Sequence, residues 1–439
     1  MKGICAPFEG KKITVMGLGL LGRGVGDVEF LAACGAKVLV TDKKTEAELA
    51  ESVARLKKYP NVSFHLGGHR IEDFAPLASG CDMVLKAAGV PLDSPYIAAA
   101  RAAGVEVAMS TALFAKYAME AGATIVGVTG TRGKSTVAHM IFHALQKAGT
   151  SAHLGGNIRG KSTLAMLPEM KTGDFAVLEL DSWQLQGLGE LKISPHIAVF
   201  TNLMPDHQNY YPDMDAYFAD KMNIFRYQKS DDILFVGKSI VERVNAARPV
   251  VAPQVPPTIP IDWKLNIIGE HNRENASLAV GALRVLGLSE SEIKSGVESF
   301  EPVEGRLQLV RELNGIKIYN DNNATTPEAT IAALHSLGND VVLITGGSDK
   351  GLDMRDLVSE IPKFCKAVFL LAGTGTARLK EEFPGAEVFD ALGPALAAAF
   401  AAASAGDCIL FSPAFASFGM FKNEYDRNDQ FVAAVKQLS

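Results

Sequence analysis

Cysteine is scarce in this 439-residue chain: there are five, Cys5, Cys34, Cys81, Cys365 and Cys408, and none forms a C-x-x-C pair. Their scatter argues against a thiolate zinc site and a disulfide framework, and predicts free thiols of the kind a reducing cytoplasm maintains. Long apolar runs are missing too. No stretch of about 18 apolar residues occurs, so no membrane span is expected. The opening MKGICAPFEGKK has no apolar core of the length a secretory signal needs. Charge is nearly balanced, 43 Lys+Arg against 49 Asp+Glu, and the net -6 gives no broad attraction to nucleic acid or an anionic bilayer. The Gly-x-Ser-x-Gly elbow of serine hydrolases is absent. His139 and His143 have zinc-like spacing, but the glutamate of a zinc protease is missing between them, so they read as a solvated helix face.

What is present is an alternation of strand-like apolar runs with helix-like segments, the rhythm of the α/β class. Lys12–Met16, Lys37–Thr41, Val62–His65, Met83–Lys86 and Val105–Ala108 describe one small doubly wound domain. Thr124–Val128, Phe175–Leu180 and His196–Phe200 belong to a second, whose tail is the proline-dense Arg248–Pro260, predicted to be an extended excursion. Ile316–Tyr319, Val341–Thr345, Val368–Ala372 and Cys408–Phe411 belong to a third. The expected architecture is three α/β domains, residues 1–109, 110–302 and 303–439, the outer two Rossmann-like and the central one a P-loop ATPase-like domain.

The strongest local signal is Gly130-Thr131-Arg132-Gly133-Lys134-Ser135-Thr136, placed between a strand and an amphipathic helix. Glycines let backbone N–H groups curl around phosphate oxygens, the helix N-terminus adds positive potential, Lys134 a point charge, and Ser135 a hydroxyl for Mg²⁺. It is a shortened phosphate loop, since Val128 stands where the first glycine of the longer pattern belongs. A second loop, Gly17-Leu18-Gly19-Leu20-Leu21-Gly22, also follows a strand, and Asp42 closes the next strand 20 residues after Gly22. This is a dinucleotide-type fingerprint, a tight turn that binds nothing, or a crevice for another nucleotide. Glu179 and the segment Asn202-Leu203-Met204-Pro205-Asp206-His207 end two further strands, where carboxylate oxygens and an imidazole are reasonable Mg²⁺ ligands. Lys350, in Gly346-Gly347-Ser348-Asp349-Lys350-Gly351, is placed to meet an anionic substrate.

Taken together, these loops resemble the Mur ligases, ATP-dependent amide-forming enzymes of peptidoglycan synthesis, over nearly the whole chain. GTRGKST resembles their phosphate loop and GEHNRENA (269–276) their G-x-H-N-x-x-N-A segment; NDNNATTP (320–327), GGSDKG (346–351) and SPAFASFGMFKNEYDR (412–427) resemble the C-terminal domain of the D-glutamate-adding member. The resemblance implies that Gly130 to Thr136, Asn275, Arg306 and Asp321 hold ATP. It implies that Ser135, Glu179, His207 and Lys221 serve Mg²⁺, with Lys221 carbamylated, and that Lys134, Lys221, His207 and Glu179 are catalytic. The UDP-linked substrate would meet Leu20, Leu21, Asp42, Lys43, Gly89 and Asn157, and the incoming amino acid Thr325, Lys350 and Ser417. The implied enzyme is a cytoplasmic monomer that takes ATP, Mg²⁺, UDP-N-acetylmuramoyl-L-alanine and an amino acid, with no nucleic-acid or membrane partner.

Five positions depart from the family pattern: Asn323 where lysine is frequent, Glu424 where an aromatic falls, Asp181 where serine is common, and the pair Glu304-Gly305 where Pro-His precedes Arg306. Loss of a cation and gain of an acid bear on the choice of amino acid, so a Mur-type ligase for a different amino acid stays open. From another class, a nicotinamide-dependent oxidoreductase would use GLGLLG and Asp42, but it leaves the phosphate loop, Glu179 and His207 without work. A nucleotide-binding protein that has lost catalysis is disfavoured by the intact Lys134, Glu179, His207 and Lys221, and a folylpolyglutamate synthetase-like enzyme by the UDP-type first domain.

Overall fold

The computed structural model describes residues 2–19, 22–75, 80–207 and 210–438. Three open sheets, each flanked by helices, form the α/β architecture expected from the sequence rhythm. The chain divides into two compact units: Met1–Pro205, Tyr211–Pro257 and Leu278–Ser289 form the first, and Asp206–Tyr210, Thr258–Ser277 and Glu290–Ser439 the second.

The first unit holds two all-parallel sheets. One contains β1 (Lys12–Met16), β2 (Lys37–Asp42), β3 (Val62–Leu66), β4 (Met83–Lys86) and β5 (Glu106–Ala108), in the order β3-β2-β1-β4-β5. The chain reverses its direction of winding between β1 and β4, so the loops after these strands flank a crevice. The other contains β6 (Thr124–Thr129), β7 (Ala152–Gly156), β8 (Phe175–Glu179), β9 (Ile197–Phe200) and β10 (Ile233–Val236), in the order β10-β9-β6-β8-β7. Here β6 is central, with Val128 in register with Glu179 on one side and Val199 on the other. Its TIVGVT run is buried from Ile125 onward, because helices cover both faces of a parallel sheet.

The second unit holds β11 (Gln308–Leu313), β12 (Ile316–Asn320), β13 (Val341–Thr345), β14 (Cys365–Leu371), β15 (Glu387–Phe389) and β16 (Cys408–Phe411), in the order β11-β12-β16-β13-β14-β15. Only β11 is antiparallel, on the edge beside β12. The last strand inserts between β12 and β13, which places the loops after β12, β16 and β13 side by side.

β7, β10, β11 and β15 go beyond the strands read from sequence. β7 carries two glycines, β15 has three residues, and β11 lies half exposed on an edge, so these three lack the uniform apolar run of a central strand, whereas β10 is such a run, ILFV. The proline-dense 248–260 stretch takes neither helix nor strand, as expected. The cysteine expectation fails at one pair: Cys5 and Cys34 form a disulfide, with Cα atoms 4.8 Å apart. Phe8 packs edge-on against Phe30 at 5.6 Å between centroids, which draws the short N-terminal helix onto the end of the helix Arg23–Ala33. Contacts between residues so far apart in sequence are invisible to spacing rules. Cys81, Cys365 and Cys408 are free.

Candidate active site

The loop after β6 is shaped by its glycines. Gly130 has φ 144° and Gly133, the N-cap of the helix Lys134–Lys147, has φ 81°. A Cβ on Gly130 would stand 1.9 Å from Thr201 Oγ1, so only glycine lets the loop pass this close to the end of β9. The neighbouring loop fixes the backbone: Thr131 N donates to Asn202 O (3.0 Å), Arg132 N to Asn202 Oδ1 (2.9 Å), and Met204 N to Thr131 Oγ1 (2.9 Å). Lys134 folds back across the curl, its Nζ 3.0 Å from both Gly130 O and Thr131 O. Ser135 and Thr136 are buried in the first helical turn.

Two further predicted residues meet this loop. Lys221, 1 % exposed, ends the helix Met214–Lys221 and donates to Gly130 O (2.9 Å), with Tyr217 stacked 4.7 Å from its Nζ. Glu179, 4 % exposed, closes β8 beside the loop, and its carboxylate takes no hydrogen bond from any described residue. A buried carboxylate beside a phosphate-type loop with no protein donor is a suitable oxygen ligand for Mg²⁺, and Ser135 offers a second. Lys221 fits such a site only as a carbamate, since an ammonium would repel the ion. Its neighbour Asp220 has its carboxyl pushed up by burial, against the opposing pull of hydrogen bonds from Gln186 Nε2 (2.7 Å) and Tyr211 OH (2.8 Å).

In the first sheet, Gly17, Gly19 and Gly22 all have positive φ, as the tight turn requires. Asp42 works inward. Its Oδ2 accepts from Leu18 N at 2.8 Å and its Oδ1 from Lys44 N at 2.9 Å, so the acid shapes the loop and not a ribose diol alone. Leu20 and Leu21 lie outside the described residues. Lys43 and Gly89 are exposed, and Asn157 Oδ1 accepts from Arg23 at 2.8 Å. Gly89 belongs to a cavity of about 240 Å³ that is lined from the first sheet by Gly17, Gly19 and Lys86, from the second by Gly156, and from the helix Ser182–Glu190 by Gln184.

The second unit gathers the remaining predicted residues. Lys350 Nζ donates to Thr325 Oγ1 (3.1 Å) and lies 3.5 Å from Asp206 Oδ1, so the loops after β12 and β13 meet at this lysine. His207, in this unit with φ 56°, donates its backbone N–H to Asp206 Oδ1 (2.9 Å). Asp321 accepts from Leu307 N (3.1 Å) and Ser412 Oγ (2.9 Å), and Arg306 reaches Asn323 O at 3.4 Å. Asn275, buried, donates to Asn272 Oδ1 at 3.1 Å. Ser417 is buried beside Phe418, which is 66 % exposed.

Three buried ionisable groups escaped the sequence reading. Arg427, fully buried, donates from Nε to Asn322 Oδ1 (2.8 Å), from one terminal nitrogen to Asn322 O (2.8 Å) and from the other to Phe415 O (3.2 Å), tying the loops after β12 and β16 together. Burial pulls its guanidinium down to about 10. Its spacing from Phe431 and Val435, four and eight residues on, places it on the buried helix face and was the available signal. Asp27 accepts from Ser110 Oγ and Ser162 Oγ, both at 2.6 Å, and burial pushes its carboxyl up to about 6. Lys86 ends a fully buried strand, and burial pulls its amine down to about 8.

Comparison with known proteins covers all three sheets. Residues 11–109 match the family described as Mur ligase MurD-like, N-terminal domain; residues 128–250 match the Mur ligase middle domain, and residues 305–415 the Mur ligase, glutamate ligase domain. A relative named UDP-N-acetylmuramoylalanine–D-glutamate ligase, from Roseiflexus sp. (strain RS-1), is 36% identical over 98% of this chain and 100% of its own. Among solved structures, UDP-N-acetylmuramate-alanine ligase MurC from Thermotoga maritima superposes with a TM-score of 0.62 at 17% identity, covering 97% of this chain and 99% of that one. The MurF ligase of the same organism, in complex with ADP, gives 0.59 at 14% identity over 99% and 96%. Both likenesses are of fold.

Proposed function

The chain belongs to the Mur ligase family, and from that premise we propose that it is an ATP-dependent ligase joining D-glutamate to UDP-N-acetylmuramoyl-L-alanine in peptidoglycan precursor synthesis. The observation that carries the reading is the convergence of Lys134, Glu179 and Lys221 on one glycine-shaped loop after a central strand. An oxidoreductase has no use for that loop, and Asp42 is engaged in holding its own turn. Residues 1–109 would bind the UDP-linked substrate, 110–302 ATP, and 303–439 the amino acid. The enzyme would act as a cytoplasmic monomer, where ATP and nucleotide-sugar substrates are at hand.

A free carboxylate is a poor electrophile, so the substrate carboxylate first attacks the γ-phosphorus of ATP. The P–O bond to ADP breaks and an acyl phosphate forms. The amine of D-glutamate then attacks the acyl carbon as a neutral base, and phosphate leaves. A free α-amine has a pKa of about 8 or higher, so it must first shed a proton to a base, a role open to Asp206 but not to a metal-bound His207. Lys134 stabilises charge on the transferred phosphoryl group. Mg²⁺, with Ser135, Glu179 and carbamylated Lys221 as its ligands, would supply further charge neutralisation there. Lys350 beside Thr325 provides a cation for a dicarboxylic amino acid despite Asn323 and Glu424, and Ser417 a hydroxyl.

The test is phosphate release with UDP-N-acetylmuramoyl-L-alanine, ATP and Mg²⁺, offering D-glutamate, L-glutamate, D-aspartate and L-alanine separately. Release with D-glutamate alone is expected. Release with none of the four refutes the reading, and preference for another amino acid moves the enzyme elsewhere in the family.

A further inference from the structure

Lys86 has no part in the reaction as described, yet it is 2 % exposed at the C-terminal end of β4, on the wall of the cavity in the first unit. Its Nζ donates to Val90 O at 2.9 Å and, more weakly, to Ala87 O at 3.4 Å. Among the described residues no carboxylate lies within ion-pair distance of it. Asp181, Glu190 and Asp220 act on it only from farther off, as does the like charge of Arg101, while Arg23 and Asp27 line the same cavity. An ammonium has three donors, and two carbonyls use at most two. A buried cation without an anion is costly to a fold, and such groups in clefts concentrate where a charged ligand completes them.

The geometry points to Lys86 as a binding residue that donates its remaining N–H to an anionic oxygen of the UDP-linked substrate. The same two carbonyl contacts pin the Ala87–Val90 turn, so Lys86 also holds Gly89 at the cavity wall. The cavity runs from the Gly17–Gly19 turn to Gly156 of the second sheet and Gln184 of the helix Ser182–Glu190. The oxygen belongs either to the diphosphate or to the carboxylate end of the ligand. This assignment rests on the ligase reading above and deepens it.

The experiment is calorimetric titration of the full chain and of Lys86→Met and Lys86→Gln with three ligands: UDP, UDP-N-acetylmuramic acid and UDP-N-acetylmuramoyl-L-alanine. Loss of one charged hydrogen bond predicts about a ten- to hundredfold weaker Kd. Weakening of all three ligands in both variants places the diphosphate on Lys86. Weakening of the carboxylate-bearing ligands with UDP unaffected places the carboxylate there. Wild-type affinity for all three overturns the proposal. If Lys86→Met does not fold, Lys86→Gln, which keeps an N–H donor on the Val90 side and removes the charge, decides alone. Should the unaltered chain bind none of the three, it is the ligase reading that fails, a result distinct from unchanged affinity in the variants.

Discussion

Asp27→Asn should make the protein more stable, and by an amount that depends on pH. Asp27 is 8 % exposed, and its Oδ1 already accepts both serine hydroxyls, a role the asparagine oxygen keeps. Burial raises the carboxyl from 3.8 to about 6, although the Ser110 and Ser162 hydrogen bonds and the Arg23 charge pull the other way. A pKa raised on folding means that the folded state binds the proton more tightly. The associated stability is therefore complete below the unfolded value near 3.8 and lost as pH rises through about 6. A shift of about two units corresponds to about 3 kcal/mol once ionisation is complete, at 1.36 kcal/mol for each unit. Asparagine carries no such cost, so the variant should gain about 3 kcal/mol at pH 8 and about half of that at pH 5. In a chain of this size the Tm should rise on the order of 5 °C at pH 8. Calorimetric melting of both proteins at the two pH values is the assay. Equal shifts at pH 5 and 8, or a loss at pH 8, would show that Asp27 is not an ionised, buried acid.

Three further substitutions test the phosphate loop. Lys134→Ala should lower kcat at least about a hundredfold, comparable with deleting one oxyanion donor, and near-normal turnover would remove the loop from catalysis. Gly130→Ala must push aside the Thr201 side chain and strain a φ of 144°, costing about 1–3 kcal/mol and weakening ATP binding with UDP affinity unchanged. Wild-type ATP affinity in that variant would mean the loop does not need its close approach to β9. Lys221→Ala should be nearly inactive, with partial recovery in millimolar acetate or formate that replaces the carbamate oxygens; full activity without additive would deny Lys221 its role as a ligand.

Much of this was legible in the chain itself because its signals are local. The central strands β1, β6, β13 and β16 have continuous apolar runs, and both glycine loops directly follow such strands, so pattern and place agree. Lys350 and Thr325 were assigned to one site from motif resemblance, and they are hydrogen-bonded. What escaped depends on pairs distant in sequence. Cys5 meets Cys34 where Phe8 docks on Phe30, and Asp27 meets Ser162 across 135 residues. Lys86 and Arg427 look like surface cations in a one-dimensional reading. Their burial follows from the covering of β4 on both faces and from the docking of the C-terminal helix.

The acyl phosphate is the central chemical claim, and oxygen transfer tests it most directly. UDP-N-acetylmuramoyl-L-alanine labelled with ¹⁸O in its free carboxylate is turned over with ATP and D-glutamate, and the released phosphate is analysed by mass spectrometry. The mechanism predicts one ¹⁸O atom in each phosphate, with ADP as the other nucleotide product, because the carboxylate oxygen that attacks phosphorus leaves with it. Unlabelled phosphate with the label wholly in the amide, or release of AMP and pyrophosphate, would contradict it.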